Sequence, residues 1–163
     1  MGASKSIIFE PIIEEDITQL TDIMTRAFDK DTQQFLGDEK GGPPGYDTGV
    51  FIRKWAIESP TESFKIRQDG HVIGAVIVRI HDNHENRLGC LFIDPELHSK
   101  GIGLKIWQKV EERYPLTKKW TTETPGYSKR NHHFYINKCG FKVVKILNPF
   151  DIREECYVME KEM

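Results

Sequence analysis

The sequence predicts a mixed α/β fold, with one central sheet of about seven strands covered by about four helices. Three observations carry this. Apolar residues fall at helical spacing in some segments, and alternate or form short runs bounded by turn residues in others. Their order along the chain is βαα, then βββ, then αβαββ, which is not the strict alternation of a parallel βαβ winding. The 163 residues, 38% of them hydrophobic, suffice for one core, so residues 1–163 are read as a single domain.

Ile7, Ile8 and Phe9 read as the first strand, ended by Pro11. Over residues 14–28, Ile17, Leu20, Ile23, Met24, Ala27 and Phe28 share one helical face, and acids occupy the first turn, where they complement the helix dipole. Residues 30–48 contain Gly37, Gly41, Gly42, Pro43, Pro44 and Gly45, a density of breakers that cannot sustain a regular element for long. Asp47 is placed to cap a second helix reaching about residue 58 and carrying Val50, Phe51, Trp55 and Ile57. Residues 63–67 and 72–80 are strands joined through Asp69-Gly70, a two-residue hairpin signal. A polar connection over 81–86 leads to a strand over 88–93, ended by Asp94-Pro95. A helix over 101–114 carries Leu104, Ile106, Trp107 and Val110. A strand over 120–123, a helix over 128–139, a strand over 141–147, a turn at Asn148-Pro149 and a strand over 155–159 complete the chain.

Bulk properties narrow the function. A formal net charge of −2 gives no electrostatic basis for binding nucleic acid or an anionic membrane. No apolar run approaches the roughly 18 residues of a spanning helix. The first six residues lack the apolar stretch of a secretory signal and read as a short tail, though Met-Gly with Ser6 loosely fits the permissive myristoylation pattern. Cys90, Cys139 and Cys156 are odd in number and widely spaced, which suggests neither a disulfide framework nor a zinc site. Reduced thiols in the cytoplasm are the expectation.

The most informative segment is Leu91-Phe92-Ile93-Asp94-Pro95-Glu96-Leu97-His98-Ser99-Lys100-Gly101-Ile102-Gly103-Leu104. A strand ends at a proline, a short polar turn with two glycines follows, and a helix begins. Free backbone N–H groups and the positive end of the helix dipole make such a terminus a site for phosphate or pyrophosphate. Gly101 and Gly103 let the backbone approach an anion without a Cβ in the way, and Lys100 adds a charge. An ordinary glycine turn before a helix has the same local pattern. A P-loop is excluded because Gly103 is followed by Leu104-Lys105, and a dinucleotide fingerprint because its third glycine is missing.

The whole segment resembles the acetyl-CoA signature of the GNAT superfamily of N-acetyltransferases: an apolar strand, a proline, then Arg/Gln-x-x-Gly-x-Gly/Ala opening a helix. His98 stands where the family usually has Arg or Gln, which leaves the backbone cradle intact. A second block, Asn131-His132-His133-Phe134-Tyr135-Ile136-Asn137-Lys138-Cys139-Gly140-Phe141, resembles the family's Asn-x-x-Ala-x-x-Tyr-x-x-x-Gly-Phe segment with tighter spacing. Asn131 and Tyr135, one helical turn apart, share a face. With the element order, the resemblance covers nearly the whole chain.

The resemblance implies a mostly antiparallel GNAT sheet and direct acetyl transfer from acetyl-CoA to an amine, with no metal. It implies that the backbone of His98, Ser99, Lys100, Gly101, Ile102, Gly103 and Leu104 holds the pyrophosphate, and that the main chain of Leu91, Phe92 and Ile93 pairs with pantetheine and polarises the acetyl carbonyl. Asn131 would bind pantetheine, and Tyr135 would protonate the leaving thiolate. Attack requires a neutral amine, so a base must take a proton, directly or through water. Glu123 at the end of a strand is the candidate, and a solvated strand-end carboxylate is its alternative. Cys90 lies beside the expected acetyl position but reads as a core thiol rather than an acyl carrier. His81, Asp82 and His84 read as a solvated loop rather than metal ligands. His132 and His133 read as surface residues, and Trp55, Trp107 and Phe134 as core.

In the family the segment between the first two helices commonly lines the acceptor pocket. Here that is residues 29–47, whose composition fits a mobile lid. Its acids Asp29, Asp31, Asp38 and Glu39 would attract a cationic amine, or would simply be solvated. A small-molecule amine is favoured over a protein N-terminus or lysine, and the chain is expected to be a monomer or homodimer. Two rivals are a domain that senses acetyl-CoA or another acyl-CoA without turnover, which a missing general base would favour, and a nucleotide-binding regulatory domain, which rests only on the glycine turn.

Overall fold

The computed structural model describes residues 6–98 and 100–163. Ser99 and the tail bearing the myristoylation pattern lie outside the described residues.

In chain order the elements are β1 (Ile7–Pro11), α1 (Ile17–Leu36), α2 (Val50–Ile52), β2 (Glu62–Gln68), β3 (His71–Arg79), β4 (Glu85–Ile93), α3 (Ile102–Arg113), β5 (Lys119–Pro125), α4 (Lys129–His132), β6 (Lys142–Leu147) and β7 (Cys156–Glu162). The strands form one seven-stranded sheet in the order β1-β2-β3-β4-β5-β7-β6. Every pairing is antiparallel except β4 with β5. The expected mixed, mostly antiparallel sheet with helical cover is what forms.

One face of the sheet packs Ile66, Val76, Val78, Leu88 and Trp120 against Ile106, Trp107 and Val110 of α3, with Tyr135 and Phe141 at the α4 end. The other face packs Ala75, Ile77 and Phe92 against Leu20, Ile23, Met24 and Ala27 of α1 and Ile52 of α2. Alternation along β3 and β4 therefore serves two cores at once, as a sheet covered on both sides requires.

Several boundaries differ from the sequence reading, each for an identifiable reason. α1 is preceded by a 3-10 turn over Glu14–Asp16 and runs to Leu36, where Gly37 at φ 78° stops it. Its last turns bury Asp31 and Thr32 instead of apolar residues, so the hydrophobic stripe fades before the helix does. Asp47 does not cap α2. The helix starts after Gly49, at φ 88°, and continues as a π-helical turn over Arg53–Ile57. α4 likewise passes into a π-helical turn over His133–Lys138. Asp69 and Gly70 both have positive φ, the conformation a tight two-residue hairpin needs. Gly140, at φ 90°, ends the second π turn, and Phe141 is buried behind it.

Residues 29–47 are not a free loop. Tyr46 donates its hydroxyl to Asp29 Oδ1, which also accepts from Gly41 N (2.5 and 3.2 Å). Thr32 Oγ1 donates to Gly41 O at 2.8 Å. Arg153 donates to both oxygens of Asp38 at 2.9 and 3.1 Å, joining this segment to the β6–β7 connection.

Candidate active site

The site begins with a defect in the sheet. β4 pairs with β5 only through Glu85, Asn86 and Arg87, opposite Lys119, Trp120 and Thr121. The β3–β4 register slips between Ile77 and Val78, so Gly89 is an extra residue that bends β4. Thr122 Oγ1 donates to Leu88 O at 2.9 Å just before the bulge, and past it no strand among the described residues pairs with β4 on its β5 side. Gly74 lets the strand end close in: a Cβ there would stand 2.1 Å from Phe92 O.

A cavity of about 400 Å³ fills the split. Leu91, Phe92 and Ile93 form one wall, and Gly101, Ile102, Gly103 and Leu104 at the start of α3 form the second. Asn131, Phe134 and Tyr135 form the third, and His98 lies between the first two. Apart from Phe134, which the sequence reading placed in the core, these are residues the sequence singled out for coenzyme binding, gathered from two segments about thirty residues apart. Lys100 is exposed and lies off this wall, and Ser99 lies outside the described residues.

The two glycines differ in purpose. Gly101 caps α3 at φ 77°, a left-handed conformation costly to other residues, and a Cβ there would meet open space. Gly103 is tight: its Cβ would stand 3.0 Å from the Phe134 ring. Only Gly101 matches the sequence argument of clear approach; Gly103 instead makes room for Phe134, which packs against the core as read from the sequence and also lines the cavity.

His98 has a side-chain role that its backbone assignment missed. Its Nε2 lies 3.1 Å from Ile93 O. Burial, with Arg130 and Lys30 nearby, pushes its pKa down to about 4, so the ring is neutral at pH 7 and must donate through Nε2–H. The Ile93 carbonyl is therefore already paired. Asp94 anchors the same turn, accepting from Glu96 N and from both terminal nitrogens of Arg26 in α1, which holds its carboxyl below the usual carboxylate range.

Tyr135 is 6% exposed, its backbone carbonyl accepts from Phe141 N at 2.9 Å, and its hydroxyl has no hydrogen-bond partner among the described residues. Burial raises its pKa well above the ordinary phenol value, so it stays protonated. Asn131 Nδ2 donates to Thr124 Oγ1 at 3.1 Å, which fixes its orientation. Cys90 lies close enough to Tyr135 to contribute to that shift, and burial pushes its own thiol up to about 12. A thiol in that state is a poor nucleophile, which argues against an acyl carrier, although Cys90 is only partly buried at the edge of the core.

A second cavity, of about 450 Å³, lies beside the first. Gly89 and Cys90 line this one, and the next residue of β4, Leu91, lines the other. Its remaining walls include Pro43, Pro44 and Gly45, Phe51, Lys54 and Trp55 of the second helix, and Arg79 and Arg87. Trp55 is 37% exposed and forms part of this wall, not of the core. Pro43, Pro44 and Gly45 belong to the 29–47 segment expected to line an acceptor pocket, whereas sequence reasoning missed Phe51, Lys54, Trp55, Arg79 and Arg87; the one available signal was the aromatic pair at 51 and 55 flanking a lysine. Glu123 lines neither cavity. It accepts a hydrogen bond at 3.0 Å from Arg87, whose side chain does line the second.

His132 is half-buried and stacks on Tyr157 with ring centres 4.3 Å apart, whereas His133 is exposed, as expected, at the rim of the first cavity. Among the described residues no group of three His, Cys, Asp or Glu side chains is placed to hold a metal. No described helix is long and apolar enough to cross a membrane.

Residues 19–141 match the family model described as the acetyltransferase (GNAT) family. The chain is 37% identical over 145 residues to the uncharacterized protein YrkN of Bacillus subtilis strain 168, an alignment spanning 87% of this chain and 76% of that protein. An acetyltransferase from Thermus thermophilus superposes with a TM-score of 0.76 at 12% identity, covering 97% of each chain. The PaiA N-acetyltransferase of Thermoplasma acidophilum, solved in complex with coenzyme A, superposes with a TM-score of 0.72 at 17% identity, covering 97% of this chain and 99% of that one. At these identities the structural likeness is one of fold.

Proposed function

This chain belongs to the acetyltransferase (GNAT) family and is an acyltransferase, and we propose that it moves the acetyl group of acetyl-CoA directly to a small-molecule amine. The observation that carries this reading is the meeting of two cavities on successive residues of β4, one beside Tyr135 and the other walled by the second helix. A thioester in the first and an amine in the second would approach each other at Cys90 and Leu91. The coenzyme A bound by the Thermoplasma acidophilum neighbour supports the assignment of the first cavity.

In this reading the α3 N-terminus, with the backbone of residues 98–104, binds the pyrophosphate. Open space at the Gly101 Cβ position fits an anion there. The unpaired edge of β4 at Leu91 and Phe92 takes pantetheine as an added strand, with Asn131 on the opposite wall; the Ile93 carbonyl is left to His98. A main-chain N–H of β4 polarises the acetyl carbonyl. The amine nitrogen bonds to the acetyl carbon, the C–S bond breaks, and Tyr135 gives its proton to the thiolate and regains one from solvent. Glu123 takes the amine proton through water. The whole chain serves as one domain, and three free cysteines support a reducing cytoplasm.

The test is release of coenzyme A thiol from acetyl-CoA across a panel of amines, with product masses. Release with an acetylated amine is expected. Tight acetyl-CoA binding without release on any amine would overturn the transferase reading in favour of a sensor.

A further inference from the structure

Resting on that reading, the second cavity also specifies its occupant. Arg79 on β3 and Arg87 on β4 are direct cross-strand partners, so both side chains leave the same face of the sheet, and both line the cavity. Like charges directly opposite each other across two strands are destabilising unless something anionic lies between them. Glu123 answers Arg87 at 3.0 Å. Among the described residues Arg79 has no ion-pair partner, and neither does Lys54, whose ammonium sits 4.8 Å from the centre of the Trp55 ring. Among the described residues no carboxylate side chain lines the cavity.

Three of the four acids that the sequence offered for attracting a cation are engaged elsewhere, and the fourth, Glu39, does not line the cavity. Asp29 holds Tyr46 and Gly41, Asp31 faces Arg130, and Asp38 is clasped by Arg153. The remaining wall is apolar and largely aromatic, built from Phe51, Trp55 and the adjoining prolines.

We propose that the acceptor is an amine that also carries an anionic group, a carboxylate or a phosphonate-like oxyanion, on an apolar or aromatic body. Arg79 and Lys54 bind the anion, the aromatic wall takes the body, and the amino group points along β4 towards Leu91. A polyamine would bring further positive charge into a cavity already holding three cationic side chains, so its entry is opposed. The chemistry balances as ordinary amide formation: the N–C bond forms, the C–S bond breaks, one proton leaves the nitrogen and one reaches the thiolate.

The experiment compares probes sharing one body: L-phenylalanine, 1-amino-2-phenylethylphosphonic acid and phenethylamine, with spermidine as a polycation. Binding to the coenzyme A-loaded protein is read by calorimetry, and turnover by thiol release. At least one anionic probe should bind about tenfold or more tighter than phenethylamine, the range of a charge-assisted hydrogen bond. The carboxylate and phosphonate arms identify which oxyanion fits. Arg79→Gln should abolish the preference and Arg79→Lys retain most of it. Equal or tighter binding of phenethylamine or spermidine, or no binding of either anionic probe, overturns the proposal. Acetylation of phenethylamine or spermidine alone would do so while leaving the acetyltransferase reading intact. Preferential binding of an anionic probe without thiol release on any amine would support the anion site while removing the transferase reading.

Discussion

Tyr135 and His98 are both neutral inside one cavity, for opposite uses. Burial raises the Tyr135 pKa and keeps it protonated, and in the proposed mechanism that proton goes to a leaving thiolate, whose own pKa is about 8.5. Tyr135→Phe keeps the ring and removes the donor. Turnover should fall by about 10- to 1,000-fold, at or below the usual range for acid–base groups, with acetyl-CoA affinity nearly unchanged. The raised pKa also means that wild-type activity should not decline through loss of the phenol proton below about pH 10; a pH–rate profile that falls earlier, on a stable enzyme, would point to another group. His98 has its folded pKa pushed below the unfolded value, from 6.5 to about 4, so protons bind preferentially to the unfolded chain in between. Its contribution to stability is complete above the unfolded value and is lost as pH falls from about 6.5 towards 4, at no more than about 1.4 kcal/mol per pH unit. Denaturation across that range should show the slope, and His98→Gln, whose amide can still donate to Ile93 O, should remove it with less than about a tenfold change in turnover. His98→Arg should be the worse replacement, because it places a permanent charge beside Arg130 and Lys30.

At the scale of elements, the β4–α3 turn is where local sequence is most informative and still incomplete. The spacing of Gly101 and Gly103 marked a helix start with clear access, and α3 does begin there. That the two glycines do different work depends on Phe134, some thirty residues away. Gly101→Ala should cost about 1–2 kcal/mol of stability through its left-handed backbone, lowering Tm by a few degrees in a chain of this size. Gly103→Val should instead displace Phe134 and weaken acetyl-CoA binding with a smaller loss of Tm. Calorimetry and thermal melts on both variants separate the two effects, and the same ranking in both assays would refute the distinction. α1 teaches the converse. Its stripe over Ile17 to Ala27 was readable, but its last two turns bury Asp31 and Thr32 against Arg130, Gly41 and Tyr127, partners a periodicity argument cannot see. The segment read as a lid therefore divides. Its first part extends α1 and brings Asp31 to the first cavity, and its second supplies the prolines of the second, the proposed acceptor cavity.

At the scale of the molecule, the splayed β4–β5 pair is an incomplete sheet that a ligand strand would complete. Acetyl-CoA at about 100 times its Kd should stabilise the fold by about 2.7 kcal/mol if it binds the folded chain only. Hydrogen exchange should show the gain at the β4 amides beyond Arg87 and at the start of α3, with little change at the β1–β2 edge; uniform protection would argue against an added strand. The sequence by itself determined the order of elements, the strand–turn–helix of the coenzyme signature and the Asn131–Tyr135 pair, because these rest on periodicity, backbone conformation and neighbours within one or two turns. Only the tertiary structure decided that Phe134 and Trp55 line cavities, that His98 closes the end of β4, that Glu123 is held by Arg87, and that Arg79 and Arg87 stand side by side. Those facts depend on strand register and on side chains arriving from segments far apart in the chain, and a register shift of one residue would have turned each of these strand residues to the opposite face.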